Sequence, residues 1–200
     1  QQGYKTLGIE RFTIAHDRGS SHGETRAIRL SYFEDPNYVP LLRRSYDLWK
    51  ELCKKSQKKL FVESGVIQIA PPNSPIYQGI LKSANEHDLD LKILTAKEQQ
   101  KNFPQFIFRK KMGALFEKNA GYLRVEQCIE SYVNASKALG ASIKTNTTVN
   151  NWSYDGNNFQ VRTNNGSFKS KSLIIGAGAW ASQLVPIDIE LRVLRKSLFW

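Results

Sequence analysis

Residues 3–10, GYKTLGIE, predict the end of a helix that turns into a short buried strand and finishes on an acidic residue, Glu10. A strand that ends on a carboxylate is typical of the second strand of a dinucleotide-binding βαβ unit, where the acid takes the ribose hydroxyls. The glycine-rich loop of such a unit would lie about 20 residues earlier, before Gln1. The stretch therefore favours a mixed α/β chain with a nucleotide-type domain at its start.

Composition excludes several other classes of protein. The 200 residues are 40% hydrophobic and 11% aromatic, which is enough for a folded core. The cysteines, Cys53 and Cys128, fall in predicted helices without zinc or disulfide spacing, and no metal site is expected. No run of about 18 apolar residues and no export signal occurs, so we expect a cytoplasmic chain with no membrane association. Because the chain opens on Gln1 and stops at Trp200 in an apolar stretch, we expect a fragment truncated at both termini.

The charge balance raises the question of a polyanionic partner. The chain carries 29 basic and 18 acidic residues, for a formal net charge of +11. Such an excess favours polyanions, but much of it lies in lysine pairs such as Lys54-Lys55, next to helix ends and turns. No zinc finger or RNA-binding aromatic signature accompanies it. A solvated surface is the simpler interpretation, and no nucleic-acid partner is expected.

Apolar periodicity predicts two long helices, over residues 38–55 and 125–139, the second stopped by Gly140. Strands and short helices of another character lie between them, which suggests two interleaved domains. The other predicted elements are strands at 62–70, 92–94, 113–116, 141–144, 148–149, 159–162 and 168–175, a loop at 119–122, a helix capped by Ser74 that reaches His87, and a helix opened by a Thr95/Glu98 capping box.

Residues 173–181, LIIGAGAWA, predict a buried strand that runs into a G-x-G-x-x-A turn. This pattern imitates the fingerprint whose glycines let backbone approach a pyrophosphate at a helix N-terminus. The following helix is too short, because Pro186 arrives within two turns. A glycine turn that passes close to a cofactor bound elsewhere is the favoured interpretation; a principal phosphate loop and a plain structural turn stay as alternatives.

Residues 19–29, GSSHGETRAIR, gather one histidine and two arginines in a loop. In a helical turn Arg26 and Arg29 would emerge on one face with His22 one turn earlier, whereas in an extended chain they would point to opposite sides. A guanidinium binds a carboxylate through two parallel charged hydrogen bonds and keeps its charge. Spacing alone leaves open a surface salt-bridge cluster that includes Glu24.

The same stretch resembles the N-terminal half of the monomeric sarcosine oxidase and N-methyl-tryptophan oxidase family, a group of D-amino-acid-oxidase-like flavoproteins. The S-x-H-G-x-T-R-x-x-R pattern is the most specific part of the resemblance, which spans essentially all 200 residues. The other landmarks, in the same order and at similar spacing, are Tyr32, YVPL at 38–41, LW at 48–49, FPQF at 103–106, GYL at 121–123 and GAGAW at 176–180.

The resemblance implies an enzyme that binds FAD and oxidises a secondary amine, sarcosine or another N-methyl amino acid. In this family the flavin accepts a hydride equivalent from the N-methyl carbon, the imine hydrolyses, and oxygen reoxidises the flavin to give hydrogen peroxide. The implied architecture is a Rossmann-like FAD-binding domain (1–59 and 117–186) interleaved with a β-sheet-based substrate domain (60–116 and 187–200). We expect a monomer that acts on a small amino-acid substrate.

The resemblance also assigns roles to single residues. It implies that Arg29 holds the substrate carboxylate, that Arg26 and His22 lie against the flavin ring, and that these three form the catalytic group. Tyr38 and Tyr32 would line the substrate pocket. The implied cofactor-binding residues are Glu10 at the adenosine ribose, Val149 at the adenine through its backbone, and Arg11, Ser21, His22, Thr25, Arg26, Gly176, Ala177, Gly178 and Trp180.

Parts of the family pattern lie outside the sequence. These are the first glycine loop, a cysteine that binds flavin covalently and a lysine that assists the reaction with oxygen; neither Cys53 nor Cys128 matches that cysteine. We therefore expect the 200 residues alone to be inactive. Two alternatives stay open: a related FAD-dependent amino-acid or 2-hydroxy-acid oxidoreductase or dehydrogenase, and a non-catalytic basic module that binds polyanions.

Overall fold

The computed structural model describes residues 3–185, 191–194 and 197–199, and its backbone divides into two compact units. Unit 1 comprises Gln1–Glu24 and Val125–Trp200, and unit 2 comprises Thr25–Arg124. Part of the predicted range 187–200 lies outside the described residues, and the assignment of cofactor and substrate domains stays a prediction. No helix in the described part of the chain is long and apolar enough to cross a membrane.

The elements follow one another in a mixed α/β order. Along the chain they are β1 (Leu7–Ile9), β2 (Thr25–Ile28), α1 (Tyr38–Ser56), β3 (Phe61–Val62), β4 (Val66–Ala70), α2 (Pro75–Glu86), β5 (Leu91–Leu94), α3 (Ala96–Asn102), β6 (Gly113–Glu117), β7 (Gly121–Arg124), α4 (Val125–Ala138), β8 (Ser142–Lys144), β9 (Val149–Tyr154), β10 (Phe159–Thr163), β11 (Gly166–Ser170), a 3-10 turn (Gly178–Trp180) and α5 (Ala181–Leu184).

Unit 1 contains a parallel pair of strands and an antiparallel meander. Strand β1 pairs in parallel with β8, with Gly8 opposite Ile143, and α4 leads into β8 through Gly140, whose φ of +88° suits glycine. Strands β9, β10 and β11 form the meander, with Val161 of the central strand buried. The parallel pair brings the C-terminal end of β1, and with it Glu10, to the sheet edge where nucleotides bind in α/β folds.

Unit 2 contains two three-stranded sheets, β2–β7–β3 and β4–β6–β5, each packed against a helix. Helix α1 covers a core cluster of Ile28, Tyr46 and Phe61. The second cluster joins α2 to the other sheet through Ala70, Tyr77, Ile80 and Leu115. Burying such apolar side chains is the main favourable term in the stability of this unit.

The local signals that set the helices are confirmed. The Ser74 hydroxyl accepts a hydrogen bond from the Tyr77 backbone N–H at the start of α2, where Pro75 occupies the first turn. Both halves of the Thr95/Glu98 capping box form at the start of α3. The two long helices, α1 and α4, each end within one residue of the predicted position.

Three of the predicted strand and loop assignments are wrong. The strand predicted over 62–70 is split, because Gly65 has a φ of +73° and sends the chain from one sheet to the other. The loop predicted at 119–122 already contains the start of β7. Residues 173–175 form no strand, and Ile174 is 93% exposed, since no described strand pairs with this stretch.

The buried faces of the long helices are narrower than predicted. In α1 the buried side chains are Val39, Tyr46 and Leu52, whereas Leu41 and Leu48 are exposed. Tyr132 and Leu139, predicted to face inward from α4 and its end, are exposed as well. Periodicity identifies a helix face, but the width of the surface that covers it depends on the rest of the fold.

Candidate functional site

Glu10 lies directly after β1, and one of its two carboxylate oxygens is hydrogen-bonded to the chain. Its backbone N–H donates to the Lys144 carbonyl (2.8 Å), and its Oε1 accepts from the Phe12 backbone N–H (2.9 Å). The same oxygen is 3.5 Å from His16 Nε2. Within the described residues the second oxygen, Oε2, accepts no hydrogen bond, so it is available to a hydroxyl donor. The ribose of a dinucleotide supplies such donors, and this end of β1 therefore fits the adenosine part of FAD.

An aromatic cluster lies next to Glu10 in unit 1. The Phe12 ring is 4.9 Å from the His16 ring and 6.0 Å from the Trp180 ring, centroid to centroid. The guanidinium carbon of Arg11 also lies over the Phe12 ring, 5.4 Å from the ring centroid. Trp180 thus connects the glycine turn to the stretch that follows β1.

The glycine turn itself has open space around its backbone. A Cβ added at Gly176 or at Gly178 would meet no atom of the described residues within 4 Å, and Gly178 has a φ of +53°. Ala177 precedes the 3-10 turn that ends at Trp180, and the α-helix beyond has four residues. So short a helix has a weak dipole, which disfavours a principal phosphate loop and favours a turn that backbone or cofactor can approach closely.

Glu126, in the first turn of α4, fixes the end of the loop that carries His22. Its Oε1 accepts hydrogen bonds from the backbone N–H groups of Gly23 (2.7 Å) and Glu24 (3.3 Å). Burial opposes its ionisation, but backbone N–H donors and the nearby His22 ring outweigh burial and lower the pKa of Glu126 below its usual range. Both donors have positive φ, +91° at Gly23 and +57° at Glu24, a conformation that the carboxylate holds in place.

We expect Glu126→Gln to destabilise the protein by about 1 kcal/mol at pH 7, because a charged acceptor of two backbone donors is replaced by a neutral one. The folded-state pKa of Glu126 is depressed, so its carboxylate stabilises the fold above the ordinary glutamate pKa and loses that effect as the pH falls through the folded value. Urea unfolding at pH 7 measures the destabilisation, and urea unfolding in acid measures how far the difference between the variant and the wild type disappears. Asp17→Asn, in an exposed pair with Arg18, is the control and should change little. Equal destabilisation by both variants would contradict the assignment.

Arg26 lies in β2, opposite Leu123 of β7, and Thr25 lies opposite Arg124. The chain is extended here, so the helical-turn alternative for this stretch is wrong. Backbone pairing with β7 settles the conformation, which the three-residue spacing could not do. Arg29 is the first residue beyond the end of β2.

Arg29 is a half-buried cation that forms no ion pair within the described part of the chain. Its Nε is buried and has no hydrogen-bond partner among the described residues, and its guanidinium carbon lies 4.8 Å from the centre of the Tyr32 ring. The Tyr32 ring is in turn 5.8 Å from that of Tyr38. Among the residues that the structure describes, no carboxylate oxygen lies within 4.0 Å of Arg29, so the alternative of a surface salt-bridge cluster is not supported for this residue. A half-buried cation with no carboxylate beside it in the described ranges is suited to bind an anion from outside.

Several polar residues around Arg29 were missed by sequence analysis. The Tyr46 hydroxyl is buried and has no hydrogen-bond partner in the part of the chain that the structure describes. Burial first, and then the nearby Glu117 and Glu63, raise the pKa of Tyr46 far above its usual range, while Arg29 opposes them. Glu117 and Ser31 are also buried. No local spacing could have found them, because Ser31 and Glu117 are 86 residues apart in sequence.

The remaining predicted site residues are placed as follows. Tyr38 begins α1 and is 48% exposed, Ser21 is exposed, and Val149 opens β9 with a partly buried side chain. No group of three or more histidine, cysteine, aspartate or glutamate side chains is arranged to bind a metal in the described ranges.

Comparison with solved structures supports the fold. NikD, an unusual amino acid oxidase essential for nikkomycin biosynthesis, matches in its open form with a TM-score of 0.81 and 19% identity, over 92% of this chain and 47% of that one. Glycine oxidase from Geobacillus kaustophilus matches with a TM-score of 0.74 and 20% identity, over 90% of this chain and 50% of that one. The predicted α/β class with a Rossmann-like FAD fold is confirmed.

Comparison with curated proteins supports the family. Monomeric sarcosine oxidase from Bacillus sp. (strain B-0618) is 36% identical over 200 residues, 98% of this chain and 51% of that protein. N-methyl-L-tryptophan oxidase from Citrobacter koseri is 33% identical over 198 residues, 99% of this chain and 53% of that protein. The chain spans about half the length of the curated relatives it matches. Residues 1–199 match the family described as FAD dependent oxidoreductase, DAO. The chain is therefore a member of the DAO family of FAD dependent oxidoreductases.

Proposed function

We propose that the whole protein uses FAD to oxidise a small amine that carries a carboxylate, with sarcosine or another N-methyl amino acid as the substrate class. The observation that carries this proposal is the half-buried guanidinium of Arg29 on the Tyr32 ring, whose Nε has no hydrogen-bond partner among the described residues. The names of the curated relatives, monomeric sarcosine oxidase and N-methyl-L-tryptophan oxidase, support the choice of a secondary amine.

The proposed roles follow from the chemistry of each group. Arg29 binds the substrate carboxylate through its planar fork, and the Tyr32 ring keeps the guanidinium in place by a cation–π contact. Glu10 accepts a hydrogen bond from the adenosine ribose of the cofactor. When bound, FAD supplies the two-electron oxidation of the amine and, with oxygen as the final acceptor, the release of hydrogen peroxide. Anchoring the carboxylate orients the amine, which lowers the entropic part of the barrier.

The proposal is tested on the purified whole protein by its visible absorption spectrum and by peroxide release. We expect flavin bands, and more peroxide with sarcosine than with glycine, proline or lactate. A colourless protein that binds DNA in a salt-sensitive manner would instead support the polyanion-binding alternative. A flavoprotein that oxidises lactate but no amine would overturn the substrate class.

A further inference from the structure

Glu117 is a buried carboxylate at the last position of β6, with 2% of its surface exposed. Its two oxygens accept three hydrogen bonds from the chain just beyond β2. Oε1 accepts from the Leu30 backbone N–H (2.7 Å), and Oε2 accepts from the Ser31 backbone N–H (3.0 Å) and from the Ser31 hydroxyl. A buried carboxylate with three donors has a structural role, because the loss of the carboxylate or of any donor would leave a buried polar group without its hydrogen bond.

The hydrogen bonds to Glu117 begin where the backbone pairing of β2 with β7 ends. Strand β2 pairs with β7 only as far as Ile28, which lies opposite Gly121. Arg29 is the next residue, and the two peptide N–H groups that follow it are the ones that donate to Glu117. Gln68 completes the arrangement, since its Nε2 donates to the Ser31 hydroxyl (2.9 Å) and leaves the hydroxyl proton for Glu117. Two strands of the second sheet thus hold the backbone that carries Arg29.

We propose that Glu117 is a positioning residue for the anion-binding guanidinium of Arg29. It fixes the peptide groups at positions 30 and 31, and so keeps Arg29 stacked on Tyr32 with its charge available. Glu117 makes no ion pair with Arg29 within the described residues, so it positions the cation without neutralising it. The inference rests on the proposed function, in which Arg29 anchors a substrate carboxylate.

Two substitutions separate positioning from a purely electrostatic role. Glu117→Asp keeps the acidic group but is one methylene shorter, so it cannot reach both backbone donors. Glu117→Gln keeps the length but accepts through one oxygen only, and its amide nitrogen faces a donor. If Glu117 positions Arg29, both variants weaken anion binding. If its charge alone acts, the aspartate variant binds as the wild type does and the glutamine variant binds an anion more tightly, because a nearby negative charge is removed.

The test uses the whole protein loaded with FAD and acetate as the probe, with the dissociation constant measured from the change in the flavin absorption spectrum. We expect both Glu117 variants to bind acetate about 10-fold more weakly, since a misplaced guanidinium loses the equivalent of one charged hydrogen bond to the anion. Gln99→Ala is the matched control. Gln99 is also buried in unit 2, and its substitution also removes a hydrogen bond, from its Nε2 to the Leu94 carbonyl (3.0 Å), which is not a bond to residues 29–31. Its acetate affinity should stay at the wild-type value.

The outcomes distinguish the two proposals. Arg29→Ala is measured alongside, and unchanged acetate affinity in that variant would overturn the proposed anchoring role and this inference with it. Weaker binding by Arg29→Ala together with wild-type affinity in both Glu117 variants would overturn this inference alone. If the Glu117 variants do not fold, Ser31→Ala removes one of the three donors and should weaken acetate binding several-fold. Wild-type affinity in Ser31→Ala would then overturn the inference.

Discussion

Arg29→Ala in the whole protein is expected to raise the KM for a carboxylate-bearing amine about 10- to 150-fold. A bidentate contact between two charged groups contributes roughly 1.5–3 kcal/mol, which corresponds to this range. Because the contact is made in the ground state as well as in the transition state, KM should change more than kcat. Steady-state kinetics at saturating oxygen measures both, and flavin content measured from the absorption spectrum shows whether the cofactor site is intact.

Two further variants test the origin of this effect. Arg29→Lys keeps a positive charge but loses the planar fork and the stacking on Tyr32, so it should recover only part of the affinity. Arg44→Ala removes an exposed arginine of the same unit, 3.7 Å from Glu51 on the surface of α1, and should leave KM unchanged. A KM equal to that of the wild type in Arg29→Ala, for every amino-acid substrate tried, would refute the anchoring role.

The parts of the fold that were predicted from the sequence are those set by local chemistry. The cap at Ser74 and the capping box at Thr95 each depend on residues within three positions, and both form as expected. The strand over 62–70 could not be divided in advance, because an apolar run does not reveal that Gly65 adopts a positive φ. The stretch 173–175 has a strand-like composition, yet a strand exists only where another strand pairs with it.

In the candidate site, too, local sequence identified individual residues, whereas tertiary pairing decided their conformation and surroundings. Spacing drew attention to Arg26 and Arg29 but could not choose between a helical and an extended chain, and pairing of β2 with β7 makes the choice. The role of Arg29 in carboxylate binding came from the family resemblance and stays a prediction. What the sequence could not indicate is the group that supports Arg29, since Glu117 and Ser31 are 86 residues apart and are brought together by the tertiary fold.

Gly79→Ala is expected to destabilise the protein by about 2–3 kcal/mol or more, although alanine is the better helix former by about 1 kcal/mol. A Cβ at position 79 of α2 would lie 2.2 Å from the Phe33 carbonyl oxygen and 2.9 Å from its carbonyl carbon. Backbone atoms cannot move aside as the end of a flexible side chain can. One turn later in α2, the Ser83 hydroxyl donates to the Tyr32 carbonyl, so the same helix surface holds the residue on which Arg29 stacks.

Urea unfolding of the whole protein without FAD measures this loss, so that cofactor binding does not contribute. Gly176→Ala is the matched control because it makes the same chemical change where no atom of the described residues lies within 4 Å of the added methyl group. The control should unfold at the wild-type urea concentration. Acetate binding by folded Gly79→Ala should also weaken, since α2 must shift away from residues 32–33 to admit the methyl group and Tyr32 shifts with it. An unfolding midpoint equal to that of the wild type would show that α2 does not contact Phe33 this closely. The claim that this helix holds Tyr32 in place would then be refuted.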